Sequence, residues 1–287
     1  MGSKMKNFVV RTLSGAVLLI VVLGAILWSK WSFGALLLLI TLGGEWEFYR
    51  MAQKAGYSPQ RLLGLAAGAA IVAVAFVLMW LLDKQSLQMQ YVTIMVGLLL
   101  YFMVLVPTMF ICELYRKSPT PIANIGATIT GVVYVAMPMA LLYFIPLLLG
   151  GGEWKPGVVL FYIFIIWAND VFAYLFGVTI GRHRLFERIS PKKSWEGFFG
   201  GLLGAMAMGY VAAKVVDGDI AVWIGMALIA AITGVFGDLV ESLFKRSVDV
   251  KDSGNILPGH GGWLDRFDAL IFSVPFAFIY LVIVEFI

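Results

Sequence analysis

Long apolar stretches, separated by short polar breaks, run through almost the whole chain. A helix needs about 20 mostly apolar residues to cross the hydrocarbon core of a bilayer. The stretches that reach this length predict about nine membrane-spanning helices, at residues 8–28, 32–52, 62–82, 91–114, 124–149, 157–180, 195–215, 219–243 and 267–286. They are continuously apolar and lack the alternation of a membrane β-barrel strand. We therefore expect an all-α, polytopic integral membrane protein.

The composition leaves little of the chain for anything else. Of its 287 residues, 61% are hydrophobic and 13% are charged, whereas soluble domains have about 45–50% apolar and about 25% charged residues. The single cysteine, Cys112, excludes an intramolecular disulfide and a Cys-rich zinc site. An ordinary soluble protein is therefore excluded.

The basic residues are distributed unevenly between the two sides of the predicted bundle. All but four of the 21 lysines and arginines fall at the N-terminus or in every second break between spans. Cytoplasmic loops of membrane proteins carry the excess of Lys and Arg. We therefore expect a cytoplasmic N-terminus, an external C-terminus and two longer cytoplasmic loops at 181–194 and 244–266.

Most of the polar chemistry lies in the second half of the chain. We expect a transmembrane scaffold of about four helices at 1–120, a middle helix and loop at 121–156, and a catalytic transmembrane domain of about four helices at 157–287. The two longer cytoplasmic loops belong to this last domain.

Four acidic residues stand at the facing ends of the last two predicted spans. Asp238 and Glu241 are three residues apart, as are Asp265 and Asp268, so each pair shares one helix face. A charged carboxylate at membrane depth costs about 2.5–3.5 kcal/mol, so this group needs a cation or a water-filled cavity. Carboxylates together with substrate phosphates are the usual ligands of Mg²⁺. The pattern predicts a Mg²⁺ site.

Basic residues and glycines fill the segment between these acids. Arg and Lys side chains and the backbone N–H groups of glycine-rich turns bind phosphate oxygens. The candidates are Lys245, Arg246, Lys251, His260, Arg266, Gly254, Gly259, Gly261 and Gly262. We interpret His260 as a phosphate contact rather than a general base, because a phosphate monoester is already anionic near neutral pH. Alternatively, the basic residues only determine the orientation of the chain in the membrane and contact anionic lipid headgroups.

Two upstream segments carry further candidates. Ser190, Lys192 and Lys193 precede the seventh span, where a helix N-terminus favours anions. They indicate a second phosphate contact or, equally, a basic topogenic loop. Asp170 interrupts the sixth span and is either functional or bonded to a neighbouring helix. Glu45 and Glu47, near the end of the second span, are expected to pair with basic residues and to have no catalytic role.

The segment from Ser242 to Asp268 resembles the signature of the phosphatidate cytidylyltransferase (CDP-diacylglycerol synthase) family. Its matching positions form the pattern SxFKR, then KDxG, then LPxHGGxxDRxD, and DVFAYLFG and SPKKSWEG are similar to two upstream motifs of that family. Trp263 and Ser194 depart mildly from the family pattern, where an aliphatic residue or Phe and a Thr are usual.

The resemblance implies transfer of a cytidylyl group from CTP to phosphatidic acid, giving CDP-diacylglycerol and pyrophosphate with Mg²⁺. It implies a homodimer in a bacterial-type inner membrane, bound to membrane lipid and not to nucleic acid. The implied metal ligands are Asp238, Asp265 and Asp268. The implied catalytic residues are these three with Lys245 and Arg246, and the implied substrate contacts are Ser190, Lys192, Lys193, Lys251, His260, Gly261, Gly262, Arg266 and Asp170.

Two other functions fit parts of the pattern. A CTP-dependent polyprenol or phytol kinase would share the nucleotide chemistry but transfer the γ-phosphoryl group, and the HGGWLDRFD sequence argues against it. A transporter would have ionisable residues spread through the bundle, whereas here they are concentrated at one membrane face.

Overall fold

The structure is a computed structural model that describes residues 2–82, 86–256, 259 and 261–286. Its elements follow the predicted spans closely. They are α1 (Gly2–Trp28), α2 (Lys30–Lys54), α3 (Arg61–Leu82), α4 (Leu87–Arg116), α5 (Pro121–Gly131), a π-helical turn (Val132–Ala136), α6 (Met137–Leu142), α7 (Ile145–Leu148), α8 (Pro156–Thr179), β1 (Arg184–Phe186), β2 (Ser190–Ser194), α9 (Trp195–Val216), α10 (Ile220–Ser247) and α11 (Leu264–Phe286).

The helices confirm the prediction of an all-α, polytopic membrane protein. Within the described residues, seven helical spans are long and apolar enough to cross a bilayer, from Arg61–Leu82 to Leu264–Glu285. Helix α1 adds a shorter apolar stretch, Thr12–Trp28, and α2, which carries Glu45 and Glu47, is not among the seven. The number of nine spans and the orientation in the membrane stay predictions, as does the division at residues 120 and 156.

The middle span lies at the centre of the bundle. In the region 121–148, 83% of the most apolar 18-residue stretch is buried inside the protein. In α4 the corresponding share is 17%, so α4 lies at the periphery. The middle span is not one regular helix, because α5 passes through the π-helical turn into α6. Pro138, in the first turn of α6, has no N–H to donate one turn back. Just before it, the Met137 N–H donates a hydrogen bond to the Val132 carbonyl oxygen, five residues earlier, which is the spacing of a π-helix.

Helices α8 to α11 pack against one another and carry most of the candidate residues. Helix α9 approaches α8 closely because its small residues face large ones. Gly200 lies against Phe176, Gly204 against Phe172, and Gly201 against Asn169. Small residues at such positions let helix backbones come together in a membrane.

A short β-hairpin in the loop 181–194 departs from the expected all-helical pattern. Strands β1 and β2 pair antiparallel, with Arg184 opposite Ser194. The carboxylate of Glu196, in the first turn of α9, accepts hydrogen bonds from the backbone N–H groups of Arg182 (3.1 Å) and His183 (3.2 Å). The His183 Nδ1 atom lies 2.6 Å from the same carboxylate. These contacts hold the hairpin against the start of α9.

The glycine contact between α8 and α9 predicts a steric effect. A methyl carbon at position 201 would lie 2.9 Å from the Asn169 carbonyl oxygen, which is backbone and cannot rotate away. We expect Gly201→Ala to reduce the free energy of unfolding by about 1–3 kcal/mol, the usual cost of overpacking, and to lower the midpoint of thermal unfolding in detergent. Gly126→Ala is the control, because position 126 has open space within 4 Å. Equal midpoints for the two variants would contradict the expectation.

Candidate functional site

Three carboxylates meet where α10 lies against α11. Asp238 and Glu241 of α10 and Asp268 of α11 each offer an oxygen atom, and these atoms all lie within 4.8 Å of one another. We call these residues the acid cluster. Glu241 is fully buried. Like charges at this separation repel, so the arrangement favours a bound cation, and a ligand set made only of carboxylate oxygens suits Mg²⁺, Ca²⁺ or Mn²⁺.

A glycine at the helix contact makes this convergence possible. A Cβ atom at Gly237 would lie 2.7 Å from the backbone oxygen of Asp268. Only a residue without a side chain fits there, so α10 and α11 approach closely at the level of the acid cluster. The distance between Asp238 and Asp268 therefore depends on Gly237.

Lys245 links the acid cluster to Asp265. One turn beyond Glu241, its Nζ atom pairs with the Glu241 carboxylate and lies 2.7 Å from Asp265 Oδ1. Its side chain is only 11% exposed, so the pairing provides the charge compensation that buried carboxylates need. The predicted catalytic residue Lys245 thus lies within the site.

Asp265 is held by the loop before α11 and is not in the acid cluster. Its Oδ2 atom accepts hydrogen bonds from the Ser253 N–H (2.9 Å) and the Gly262 N–H (2.8 Å) and lies 2.9 Å from the Ser253 hydroxyl oxygen. The expected metal ligands were Asp238, Asp265 and Asp268, whereas the structure groups Asp238 and Asp268 with Glu241. Metal binding by Asp265 stays a prediction.

A cavity of about 500 Å³ opens beside the acid cluster, between α8, the hairpin, the start of α9 and the second half of α10. Its wall includes Asp170, Asp238, Lys192, Lys193 and Arg184. Lys193 Nζ lies 2.5 Å from Asp238 Oδ2, so a basic wall directly adjoins the acid cluster. This basic cavity has the charge that an anion requires.

A second cavity, of about 450 Å³, lies between α1, α8 and α11. It is largely apolar, with Leu18, Val22 and Trp167 among its lining residues. Its polar lining residues are Asp170, Asp265, Arg266 and Asp268. We call this second cavity the apolar groove. Asp170 lines both the basic cavity and the apolar groove, so the two meet beside the acid cluster.

Several predicted substrate contacts lie outside these two cavities. Ser190 pairs with Phe186 in the hairpin. Arg246 donates a hydrogen bond to the Val250 carbonyl oxygen (3.0 Å), and Lys251 is exposed in the loop before α11. Gly262 binds Asp265 through its N–H, and Gly261 has a left-handed backbone with φ of 80°. His260 lies outside the described residues, and the proposed roles of all these residues stay predictions.

The expected pairing of Glu47 with a basic residue is wrong for the contacts that the structure describes. Glu47 is buried and accepts hydrogen bonds from the Ser253 hydroxyl (2.8 Å) and from the backbone N–H groups of Trp263 (3.0 Å) and Leu264 (3.0 Å). Its partners come from the loop before α11 and from the first residue of α11, more than two hundred positions away. An acidic residue near the end of an apolar span already signals a need for donors, but the sequence does not show which groups supply them.

Comparison with known proteins assigns the sequence to a family. The sequence model described as "Cytidylyltransferase family" matches residues 9–284, nearly the whole chain. The chain belongs to the cytidylyltransferase family. This confirms the resemblance seen in the sequence motifs.

Curated relatives in the cytidylyltransferase family include three staphylococcal proteins, each called phosphatidate cytidylyltransferase. Those of Staphylococcus aureus (strain COL), Staphylococcus saprophyticus and Staphylococcus epidermidis are 48%, 47% and 46% identical to this chain over 126 residues. Each alignment covers 43% of this chain and 48% of the relative. The matched region therefore spans about half the length of these relatives.

From the acid cluster we expect this protein to bind a divalent cation. We expect Asp268→Asn to weaken Mn²⁺ binding by about tenfold or more, since loss of even an outer-shell partner costs about 10- to 100-fold. Binding is measured from the electron paramagnetic resonance signal of free Mn²⁺ in titrations of the detergent-purified protein. Asp252→Asn, which changes an exposed carboxylate in the loop, should leave the affinity unchanged.

The same titration tests Asp265. If Asp265 is a ligand, Asp265→Asn weakens Mn²⁺ binding as strongly as Asp268→Asn. A clearly smaller effect would assign it to holding Lys245 and the loop. Unchanged affinity in Asp268→Asn would contradict a cation site at the acid cluster.

Proposed function

We propose that this protein transfers a cytidylyl group from CTP to phosphatidic acid, forming CDP-diacylglycerol and pyrophosphate for phospholipid biosynthesis. The observation that carries the proposal is the meeting of the basic cavity and the apolar groove at Asp170, beside the acid cluster. A water-soluble nucleotide and a membrane lipid need separate approaches to one reaction centre. The names of the staphylococcal relatives support the same activity.

The basic cavity suits the nucleotide. Its volume, about 500 Å³, falls within the range of about 300–1,000 Å³ typical of small-molecule sites. Lys192, Lys193 and Arg184 line it and would neutralise the triphosphate. Arg184 was not among the residues expected from the sequence and enters the site through the hairpin.

The apolar groove suits the lipid. Leu18, Val22 and Trp167 would contact acyl chains, while Arg266, at the polar end of the same groove, would bind the lipid phosphate. Arginine matches phosphate oxygens with a fork of two donors. Asp170, shared by both cavities, lies where the two phosphate groups would meet.

The reaction requires two anions to be brought together. A lipid phosphate oxygen attacks the α-phosphorus of CTP, the bond from that phosphorus to the bridging oxygen breaks, and pyrophosphate leaves with the electron pair. Positioning and charge neutralisation dominate catalysis of such transfers. A phosphate monoester has a second pKa of about 6, so the nucleophile is already anionic and no side chain has to remove a proton.

The acid cluster fits Mg²⁺, because all three residues offer carboxylate oxygens close together. Asp238 and Asp268, with Glu241 beside Lys245, would hold the ion. Bound there, Mg²⁺ would supply positive charge that neutralises phosphate oxygens. Lys193 compensates the negative charge of Asp238. Lys245 compensates that of Glu241 and Asp265.

The cytoplasmic position of the site and the homodimer belong to the same proposal. The excess of basic residues in alternate loops supports an N-terminus and a site on the side where CTP is found. The family resemblance supports a dimer in a bacterial inner membrane.

A transfer assay tests the proposed activity. Purified protein is supplied with Mg²⁺, phosphatidic acid in mixed micelles and CTP labelled at the α-phosphorus, and we expect the label to enter the lipid extract. Asp268→Asn is the matched inactive control. Label from the γ-phosphorus in the lipid, with none from the α-phosphorus, would replace this proposal with the lipid kinase.

A substitution in the basic cavity tests its assignment to CTP. We expect Lys193→Gln to raise the KM for CTP by about tenfold or more, since a hydrogen bond to a charged group contributes about 1.5–3 kcal/mol. Lys155→Gln is the control, because Lys155 is exposed at the opposite end of α8. An unchanged KM for CTP in Lys193→Gln would exclude Lys193 as a nucleotide contact.

A further inference from the structure

Glu47 joins the N-terminal part of the chain to the loop that precedes α11. It lies on α2 and is 1% exposed. Its carboxylate accepts one hydrogen bond from the Ser253 hydroxyl and two from the backbone N–H groups of Trp263 and Leu264. A buried carboxylate with three donors is a satisfied group in a fixed position.

The two backbone donors belong to the start of α11. The first N–H groups of a helix have no acceptor within the helix, and the helix dipole favours a negative charge there. Glu47 supplies this charge from another helix and so caps α11 in place of a local side chain. The direction in which α11 leaves the loop therefore depends on α2.

The loop wraps tightly around this carboxylate. At both Gly254 and Gly262, an added Cβ atom would collide with the side chain of Glu47. Glycine at these positions is thus explained by the approach of the loop backbone to Glu47. Both glycines belong to the family-like motif, so the motif itself is shaped in part by a residue outside it.

The hydrogen bonds of Glu47 continue to the acid cluster. The single hydroxyl hydrogen of Ser253 is shared between two carboxylates, because its Oγ atom lies 2.8 Å from that of Glu47 and 2.9 Å from that of Asp265. Asp265 lies 2.7 Å from the Nζ atom of Lys245, which also pairs with Glu241 in the acid cluster. One turn after its capped end, α11 carries Asp268, the acid cluster's third member.

We propose that Glu47 is a positioning residue for the cytidylyl transfer, a role that rests on the proposed function. Glu47 fixes Ser253 and the first turn of α11, and through them it sets the positions of Asp265, Lys245 and Asp268. It acts without contacting either substrate, since it lies outside the walls of the basic cavity and of the apolar groove.

Glu45 provides a matched control on the same helix. It is also fully buried, but it lies against Gly68 of α3, away from the loop. Among the described residues its carboxylate has no hydrogen-bond partner. Glu45→Gln and Glu47→Gln therefore make the same chemical change two positions apart, and only the second alters contacts with α11.

The experiment compares these two variants in the full-length, detergent-purified protein. In Glu47→Gln the amide group replaces an acceptor with a donor, so one of the three hydrogen bonds is lost. We expect kcat to fall by about 10- to 100-fold, the usual effect of a partner outside the reacting groups, while the KM for CTP changes little. Amide hydrogen exchange in peptides covering residues 248–268 should become faster, and Mn²⁺ binding should weaken. Glu45→Gln should change none of these.

Ser253→Ala gives a second, independent variant of the same connection. It should lower kcat and weaken Mn²⁺ binding in the same direction, and combining it with Glu47→Gln should cost less than the product of the two single effects. Fully multiplicative effects would show that the two residues act separately and would overturn the connection. If Glu47→Gln does not fold, Ser253→Ala alone decides through Mn²⁺ binding, which must weaken.

Other outcomes separate this inference from the proposed function. A Glu47→Gln protein with a lower unfolding temperature but unchanged kcat and Mn²⁺ affinity would reduce Glu47 to a purely structural role. So would equal losses in Glu45→Gln. If the wild-type protein fails to transfer the cytidylyl group, the proposed function fails, whereas Mn²⁺ binding and amide exchange still report whether Glu47 positions the acid cluster.

Discussion

Carboxylates kept away from bulk water require hydrogen-bond donors or a cation, and this requirement organises the second half of the molecule. Glu241 and Asp265 share Lys245. The Glu47 carboxylate accepts hydrogen bonds from backbone N–H groups at the start of α11. Asp238 and Asp268 are brought together at the contact of α10 with α11, where Lys193 compensates only the first of them. The remaining excess of negative charge at this contact supports the proposed cation site.

Much of the fold could be predicted from the sequence because a membrane-spanning helix is recognised from the hydrophobicity of about 20 consecutive residues. The ends of α8, α10 and α11 lie within a few residues of the predicted spans. The hairpin was missed because strands as short as Arg184–Phe186 are too brief to show an alternating pattern. The π-helical turn in the middle span was missed for a similar reason, since one proline in an apolar run does not reveal how the backbone accommodates it.

The site was predictable as a set of residues but not as an arrangement. The spacing predicted that Asp238 and Glu241 share one face of α10, and the structure brings both to Asp268 but not to Asp265. Which three would converge depends on the depth and rotation of two helices, and the sequence alone does not contain these quantities. The diversion of Asp265 to Lys245 and the loop is a tertiary effect. The local sequence shows that Glu47 needs donors, but its role depends on contacts between distant parts of the chain, which the sequence does not reveal.

Gly237 gives the acid cluster a property that its carboxylates do not have by themselves. Because the backbones of α10 and α11 approach closely at this residue, the helix positions that carry the carboxylates are held close together. Mg²⁺ takes oxygen ligands at about 2.0–2.1 Å and Ca²⁺ at about 2.3–2.6 Å in more flexible sites. If the acid cluster holds a cation, as proposed, the close helix contact at Gly237 would set the spacing of its ligands, and selection between the two ions would depend on a residue that binds neither.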